Sequence, residues 1–358
     1  MKLLVYSPAF LPRVGGLEIN VAQLAAAMTR LGCAVVVVTQ TADTEGGTDA
    51  GLPYRVVRRP GRLALLRLTR WCDLYYQANV SLRGLWPLAL VRRPWAVSHH
   101  SWYRQADGRI AWQDRLKRFL LRYAVSSIAV SAGVAADLNT PSVLIPNAYR
   151  DDLFRRLPGE ARTQDLVFLG RLVSDKGVDL LLDALPLLAG RGLRPGLTLI
   201  GDGPEAPRLR EQIARLGLGS QVELLGIRTG EELVRRLNRH RILVVPSRYN
   251  EPFGIVALEG IACGCAVVGS RGGGLPEAIG PCGRTFANGD VADLANVLAA
   301  LLESFDDPLT GLAALQAEAP NHLAAHASGR IAQLYFDELS GALRRATTRG
   351  SRLRGGAA

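Results

Sequence analysis

The chain has 358 residues, of which 48% are hydrophobic, and a net charge of +11. That length exceeds the size at which a single core keeps growing, so the sequence predicts two domains. The whole charge excess lies in the first 150 residues, which carry 19 Lys and Arg against 8 Asp and Glu. Because no recognised nucleic-acid-binding module accompanies this charge, we expect no nucleic-acid partner.

The N-terminus begins with a short apolar run at residues 3–6 and reaches a proline at Pro8. Such a run is too short for a signal peptide and predicts a first buried strand. No other apolar stretch is long enough to cross a bilayer. The five cysteines are odd in number, and Cys263-Gly264-Cys265 has the spacing of neither a zinc site nor a redox motif. These features favour a cytoplasmic protein.

Short apolar runs alternate with helical patterns along the whole chain, which predicts an α/β fold with parallel strands. The alternation restarts near residue 166 and indicates a second doubly wound sheet. The irregular polar stretch at 148–164 is typical of a linker. Strands are predicted at 3–6, 34–39, 96–98, 127–130, 166–170, 197–200, 222–225, 242–245 and 266–269, with a first helix at 17–30.

These patterns predict four segments. An N-terminal Rossmann-like domain spans residues 1–150, and a C-terminal Rossmann-like domain spans 151–328. An amphipathic helix at 329–346 follows. The last residues, 347–358, are rich in Gly, Arg and Ala without periodicity, which predicts a disordered basic tail.

The segment 246–260 carries two carboxylates at the start of a predicted helix. The chain turns near Gly254, which leaves the N–H groups of Phe253, Gly254 and Ile255 free at a positive helix start, where an anion such as a diphosphate is favoured. Glu251 and Glu259 are natural acceptors for hydroxyl pairs on a sugar or a ribose. Taken alone, these two glutamates favour the simpler interpretation, in which Glu251 caps a helix and Glu259 is a solvated helix residue.

A second loop places two cations beside glycines at a strand end. Residues 170–177 contain Arg171 and Lys176 and follow a predicted strand, and ligands of doubly wound folds bind at that edge. Only three lysines stand against forty arginines in the chain, so Lys176 departs from a strong preference for arginine. The lysine at this position favours a role as a point charge that binds a phosphate.

Residues 170–177, 201–205, 246–259 and 273–277 together resemble the family-4 retaining glycosyltransferases in order and spacing. The resemblance implies the two-domain GT-B fold, with a nucleotide-sugar donor held mainly by the C-terminal domain and an active site in the cleft between domains. It also implies that the C-terminal helix crosses back to the N-terminal domain. It assigns the donor diphosphate to Arg171 and Lys176, the transferred sugar to Glu251 and the ribose to Glu259, with the base near Ile227.

In the N-terminal half, residues 8–18 resemble the family's glycine loop, in which Gly15 and Gly16 approach the donor. The family also carries a histidine after its fourth strand, and His99 and His100 are both candidates. Counting from Pro94 favours His100 as the residue that contacts the transferred sugar. His99 stays the alternative, since consecutive side chains of a strand point to opposite faces.

The resemblance implies a retaining transfer in which the leaving diphosphate helps to deprotonate the acceptor. We expect no cofactor and no metal, because the chain contains no Asp-x-Asp motif. Three rival hypotheses remain. One is an epimerase, synthase or phosphorylase on the same fold. Another is a dinucleotide-dependent oxidoreductase, although the glycine pair at Gly201 and Gly203 lacks the third glycine of that fingerprint. The last is a non-catalytic membrane-surface scaffold.

The acceptor is expected to be a glycan of the cell envelope or a lipid-linked molecule. The basic N-terminal half also holds every tryptophan, and arginine beside tryptophan suits an anionic membrane interface. This predicts peripheral contact with the inner face of the cell membrane. The alternative is that the tryptophans fill the core while the arginines lie on solvated helix faces. The tryptophans are Trp71, Trp86, Trp95, Trp102 and Trp112.

Overall fold

The computed structural model describes residues 1–12, 15–42, 49–104 and 108–355, with side chains up to residue 348. The chain divides into two compact units. One comprises Met1–Ala148 together with Ser328–Ala358, and the other comprises Tyr149–Ala327. Each unit contains one parallel sheet covered by helices, so the predicted α/β class with two doubly wound sheets is confirmed.

The N-terminal unit contains a seven-stranded sheet with the order β3-β2-β1-β4-β5-β6-β7, in which all paired strands are parallel. Its central strands are buried on both faces, which is why they consist of continuous apolar runs. The strands are β1 (Lys2–Ser7), β2 (Ala34–Thr39), β3 (Arg55–Arg58), β4 (Leu74–Ala78), β5 (Trp95–His99), β6 (Ser126–Ala129) and β7 (Val143–Leu144). The helices between them are α1 (Gly16–Arg30), α2 (Arg62–Trp71), α3 (Leu82–Leu90), α4 (Trp112–Leu120) and α5 (Ala132–Leu138).

The C-terminal unit contains a six-stranded parallel sheet with the order β10-β9-β8-β11-β12-β13. Its order reverses between β8 and β11, so loops following these strands meet at one edge. The strands are β8 (Gln164–Leu169), β9 (Leu197–Ile200), β10 (Val222–Gly226), β11 (His240–Val245), β12 (Ala266–Ser270) and β13 (Gly283–Phe286). The helices are α6 (Val178–Ala189), α7 (Ala206–Arg215), α8 (Gly230–Arg239), α9 (Ile255–Ala262), α10 (Leu275–Ile279), α11 (Val291–Glu303), α12 (Leu312–Ala317) and α13 (Ala319–Ala325).

A last helix, α14 (Ser328–Gly355), returns to the N-terminal unit. Ile331, Tyr335 and Leu339 are buried in the core that β1 and β4 also form, and the Tyr335 ring lies 6.3 Å from that of Tyr76. The sequence ended this helix at residue 346 and treated 347–358 as a disordered tail, but the helix continues to Gly355. The added residues include two threonines, a serine and two glycines, which are weak helix formers, so the extension depends on the preceding turns that tertiary packing has already nucleated.

Two further features bear on location and redox state. Among the described residues, no helix combines the length and the apolar character needed to cross a membrane. All five cysteines are free and buried.

Candidate functional site

Three loops meet at the carboxyl-terminal edge of the second sheet. The backbone N–H of Arg248, after β11, donates to the Asp175 carbonyl in the loop after β8 at 2.9 Å. The N–H of Gly274, after β12, donates to the Glu251 carbonyl at 2.7 Å, and Glu251 also forms a parallel bridge with Gly273. These backbone bonds bring three segments that are distant in sequence into one site.

Gly177 allows the first of these loops to approach the second. Its φ is +64°, and a Cβ atom there would lie 2.0 Å from the carbonyl oxygen of Pro246. Any other residue would have to displace backbone, so a glycine is required directly after Lys176. The close approach places the lysine beside the strand end of β11.

Lys176 and Glu251 form an ion pair at the centre of this edge. The ammonium of Lys176 lies 2.5 Å from Oε1 of Glu251, and Ser247 Oγ donates to the same oxygen at 2.7 Å. Glu251 is buried, with 8% of its surface exposed. The sequence analysis assigned Lys176 to the donor diphosphate and Glu251 to the transferred sugar, whereas the structure brings the two side chains into direct contact. Ser247 is a partner that the sequence analysis did not identify.

Arg171 lies on the same loop as Lys176, two residues after β8. Its side chain is exposed and forms no ion pair or hydrogen bond with the part of the chain that the structure describes. The loop itself is held firmly, since Leu172 donates its N–H to the Asp202 carbonyl at 2.9 Å. Arg171 therefore presents a positive charge to solvent from a rigid backbone.

Helix α9 begins beside this ion pair. Gly254 caps its N-terminus, and the first N–H groups of a helix have no partner within it. Phe253 is buried and packs at 5.7 Å from the ring of His326, which fixes the entry of the chain into the helix. The start of α9 at Ile255 agrees with the sequence prediction.

Glu259 lies one turn further along α9 than the helix start. Burial raises the pKa of its carboxyl to about 7, and the nearby Arg150 opposes this by lowering it. The guanidinium of Arg150 is itself bonded to Asp152 at 2.7 Å. No side chain among the described residues bonds this carboxyl, so its oxygens can accept hydroxyl groups from a ligand once the proton is lost.

Two positions beside the next strands bear on base binding and on the rival dinucleotide hypothesis. Ile227, directly after β10, has 66% of its surface exposed, which is unusual for an isoleucine in this unit. A Cβ atom on Gly201 would lie 1.8 Å from the Gly170 carbonyl oxygen. Gly201 is therefore required by the packing of one loop against the other, and it needs no dinucleotide to explain it.

The two candidate histidines lie at the end of β5 in the N-terminal unit. His99 is fully buried, with Nδ1 2.8 Å from the Tyr103 hydroxyl and Nε2 3.0 Å from Ser127 Oγ. Burial lowers its pKa to about 3. Both ring nitrogens of His99 are therefore hydrogen-bonded within the core, which indicates a structural role.

His100 is partly exposed and belongs to a polar chain. Its Nδ1 lies 3.0 Å from Asn147 Oδ1, and its Nε2 lies 2.7 Å from Ser98 Oγ. Burial lowers the pKa of this imidazole to about 4, although the bond to Asn147 raises it. The ring is therefore neutral at pH 7. Asn147 lies directly before the predicted linker at 148–164. It is buried, and the apolar Ile145 two residues earlier is the sequence signal that marks this segment as structural.

Gly15 and Gly16 form the N-terminus of α1, where Gly15 is the capping residue and its carbonyl accepts the N–H of Ile19 at 3.1 Å. Residues 13 and 14 of the predicted glycine loop lie outside the described residues. The glycines are thus placed at a helix start that follows β1, as a ligand loop requires.

The chain is similar in sequence to known proteins. Residues 163–304 match the family described as glycosyl transferases group 1. The chain is 27% identical over 335 residues to the phosphatidylinositol N-acetylglucosaminyltransferase gpi3 subunit of Schizosaccharomyces pombe, covering 84% of this chain and 73% of that protein. It is 37% identical over 190 residues to the D-inositol 3-phosphate glycosyltransferase of Corynebacterium jeikeium, covering 50% of this chain and 44% of the relative.

Solved structures share the fold over nearly the whole chain. The structure of Anabaena Alr3699/HepE in complex with UDP superposes with a TM-score of 0.79 at 23% identity, covering 95% of this chain and all of that one. The sucrose-phosphate synthase from Thermosynechococcus elongatus gives a TM-score of 0.79 at 23% identity, with 97% of this chain and all of that one covered.

The fold and the relatives define the class of protein: the chain is a glycosyltransferase with the GT-B fold. The match to the glycosyl transferases group 1 covers residues 163–304, which include Arg171, Lys176, Glu251 and Glu259.

Proposed function

We propose that the chain is a retaining glycosyltransferase that moves a sugar from a nucleotide-diphosphate sugar to a glycan or lipid-linked acceptor of the cell envelope. The observation that carries the proposal is the ion pair of Lys176 with Glu251 beside the start of α9. It combines a cation for a diphosphate with a buried oxygen acceptor for sugar hydroxyls. A neighbouring structure was solved with UDP-glucose, and the yeast relative is named for N-acetylglucosaminyl transfer to phosphatidylinositol.

The diphosphate is the part of the donor on which charge accumulates as the sugar leaves. Arg171 and Lys176 supply two positive charges, and the N–H groups of Phe253, Gly254 and Ile255 supply a helix N-terminus. Preorganised donors of this kind stabilise a departing anion without reorganisation at the moment of reaction. In this proposal they take the place of a divalent metal.

Glu251 is held in a way that leaves one oxygen available. Lys176 and Ser247 both bond Oε1, and Oε2 has no hydrogen-bond partner among the described residues. Oε2 accepts a hydroxyl of the transferred sugar in our proposal, while the lysine, with three donors, keeps its bond to Oε1 and still donates to a phosphate. Glu259 accepts the ribose hydroxyls, and the base packs on the exposed Ile227.

Retention follows if the acceptor attacks from the face that the diphosphate leaves. The departing phosphate then takes the acceptor proton. His100 contacts the transferred sugar in this proposal. Its imidazole is neutral at pH 7, because its pKa lies near 4.

The experiment has two stages. A thermal-shift screen of UDP-, GDP- and ADP-sugars identifies the donor, and NMR of the product then reports the anomeric configuration. We expect the configuration of the donor to be kept and the nucleotide diphosphate to be released. An inverted product would contradict the mechanism. Isomerised sugar after incubation with donor alone would favour the epimerase instead.

A further inference from the structure

Helix α4 carries a stripe of large apolar side chains that point to solvent. Trp112, Leu116, Phe119 and Tyr123 have 69%, 38%, 47% and 61% of their surface exposed. Their spacing of four, three and four residues places them on one face of α4 and of the single 3₁₀ turn that continues it. We call these four residues the apolar stripe.

The opposite face of α4 is firmly attached to the N-terminal unit. Arg118 pairs with Asp137 at 2.8 Å and donates to the Tyr103 carbonyl at 3.3 Å. Lys117 lies over the Tyr103 ring at 5.6 Å, and Leu121 is buried. The exposure of the apolar stripe is therefore a consequence of how the helix is anchored.

Positive charge borders the apolar stripe. Residues 108–123 contain five Arg and Lys against one acid, Asp114, which Lys117 neutralises at 2.8 Å. Arg115 and Arg122 are exposed and form no ion pair with the residues that the structure describes. The guanidinium of Arg122 lies 4.0 Å from the ring centroid of Phe119, which keeps the charge at the edge of the apolar surface.

An anionic lipid surface fits this combination better than a second copy of the chain. An antiparallel two-fold dimer through the stripe would bring Arg115 of one copy close to Arg122 of the other, and like charges at an interface repel. Amphipathic helices that lie in a bilayer interface instead pair aromatic and leucine side chains on one face with flanking arginines. We propose that α4 docks the protein on an anionic phospholipid surface, with the apolar stripe at the depth of the headgroups.

The inference rests on the proposed function, since docking through α4 would bring the protein to the membrane surface that holds a lipid-linked acceptor. It narrows the membrane contact expected from the whole basic half to one helix. Of the five tryptophans, Trp95 is buried, whereas Trp112 is the one that belongs to the stripe and has most of its surface exposed.

The test is co-sedimentation of the full chain with vesicles of phosphatidylcholine alone and of phosphatidylcholine with phosphatidylglycerol. We expect binding to the anionic vesicles at low salt and a loss of at least about tenfold at 0.5 M salt, because the Debye length then shortens to a few ångströms. The Arg115→Gln and Arg122→Gln double variant should bind about twenty-five-fold more weakly, at roughly fivefold for each charge removed. The Trp112→Ser and Phe119→Ser double variant should bind at least about tenfold more weakly.

The matched controls come from the other unit. Leu309→Ser removes an apolar side chain that is more exposed than any in the stripe, and Arg210→Gln removes an exposed arginine of α7. Both variants should bind as the wild type does. Circular dichroism verifies that every variant is folded. Failure of the wild type to sediment at low salt, or equal binding by the stripe variants, would overturn the inference. A dimer in light scattering that the Trp112→Ser and Phe119→Ser variant abolishes would assign the stripe to a second copy and also overturn it.

Donor hydrolysis without lipid separates this inference from the proposed function. Release of nucleotide diphosphate by a protein that does not bind vesicles would refute the docking helix alone. Vesicle binding by a protein that neither binds nor cleaves any nucleotide sugar would refute the transferase proposal alone.

Discussion

Replacement of Lys176 by alanine separates the catalytic role of the Lys176–Glu251 pair from its contribution to stability. The variant leaves the carboxylate of Glu251, with 8% of its surface exposed, bonded only to Ser247. Breaking a fully buried pair costs about 3–5 kcal/mol. The side chain of Lys176 is 28% exposed, so solvent screens much of this, and we expect a loss of about 1–2 kcal/mol. The corresponding fall in melting temperature is roughly 2–8 °C.

The effect on turnover should be much larger than this stability loss implies. Removing one preorganised donor from a developing anion lowers kcat by about 10²–10³. The assay measures nucleotide diphosphate released per enzyme at saturating donor, at a temperature where circular dichroism shows Lys176→Ala to be folded. Arg210→Ala, on an exposed face of α7, is the control for loss of a cation.

A double-mutant cycle with Glu251→Gln tests whether the two residues act as a pair. Residues in contact give coupled rather than additive effects. We expect the double variant to lose little more activity than the worse single variant. Wild-type turnover in Lys176→Ala, or strictly additive losses, would refute the assignment of this pair to the donor site.

Three further predictions concern the other residues of the site. Arg171→Ala should lower turnover by about two orders of magnitude. The melting temperature should not change, since the exposed guanidinium has no partner among the described residues. Equal rates in Arg171→Ala and Arg210→Ala would contradict this prediction. Nucleotide affinity should rise as pH increases from 5.5 to 8, because Glu259, with a pKa of about 7, must lose its proton to accept two ribose hydroxyls; calorimetry of Glu259→Gln should show no such dependence. His100→Ala should chiefly lower turnover. His99→Ala should chiefly lower the melting temperature, since only His99 is enclosed in the core.

Apolar patterning was sufficient to predict most strands of both sheets, but four were missed. Strand β7 has only two residues, which is too short to show a pattern. Strand β4 escaped because it contains two tyrosines and a buried glutamine, Gln77, which conceal its burial. Strand β3 is short, with an arginine at each end, and β13 begins with a glycine, so neither shows a clear apolar run. Prediction of strands from hydrophobicity fails where polar side chains are buried in the core and hydrogen-bonded there.

The residues of the candidate site were named from sequence, but their contacts were not. Lys176 and Glu251 are 75 residues apart, and only the reversal of strand order at β8 and β11 brings them together. Arg150 and Ser247 were not identified from sequence, although Ser247 lies within the segment 246–259. Arg150 lowers the pKa of Glu259, and Ser247 bonds Glu251. Such partners follow from tertiary structure and not from local spacing.

The central claim is that this edge of the C-terminal unit binds the diphosphate of a nucleotide sugar, and calorimetric titration tests it most directly. UDP, GDP and ADP are titrated into the wild type, into the Arg171→Ala and Lys176→Ala double variant, and into Arg210→Ala. We predict that one nucleotide binds the wild type and Arg210→Ala alike. The double variant should bind it at least about a hundredfold more weakly, since two charged contacts are lost. Equal affinity in all three proteins, or no binding of any nucleotide to the wild type, would contradict the account.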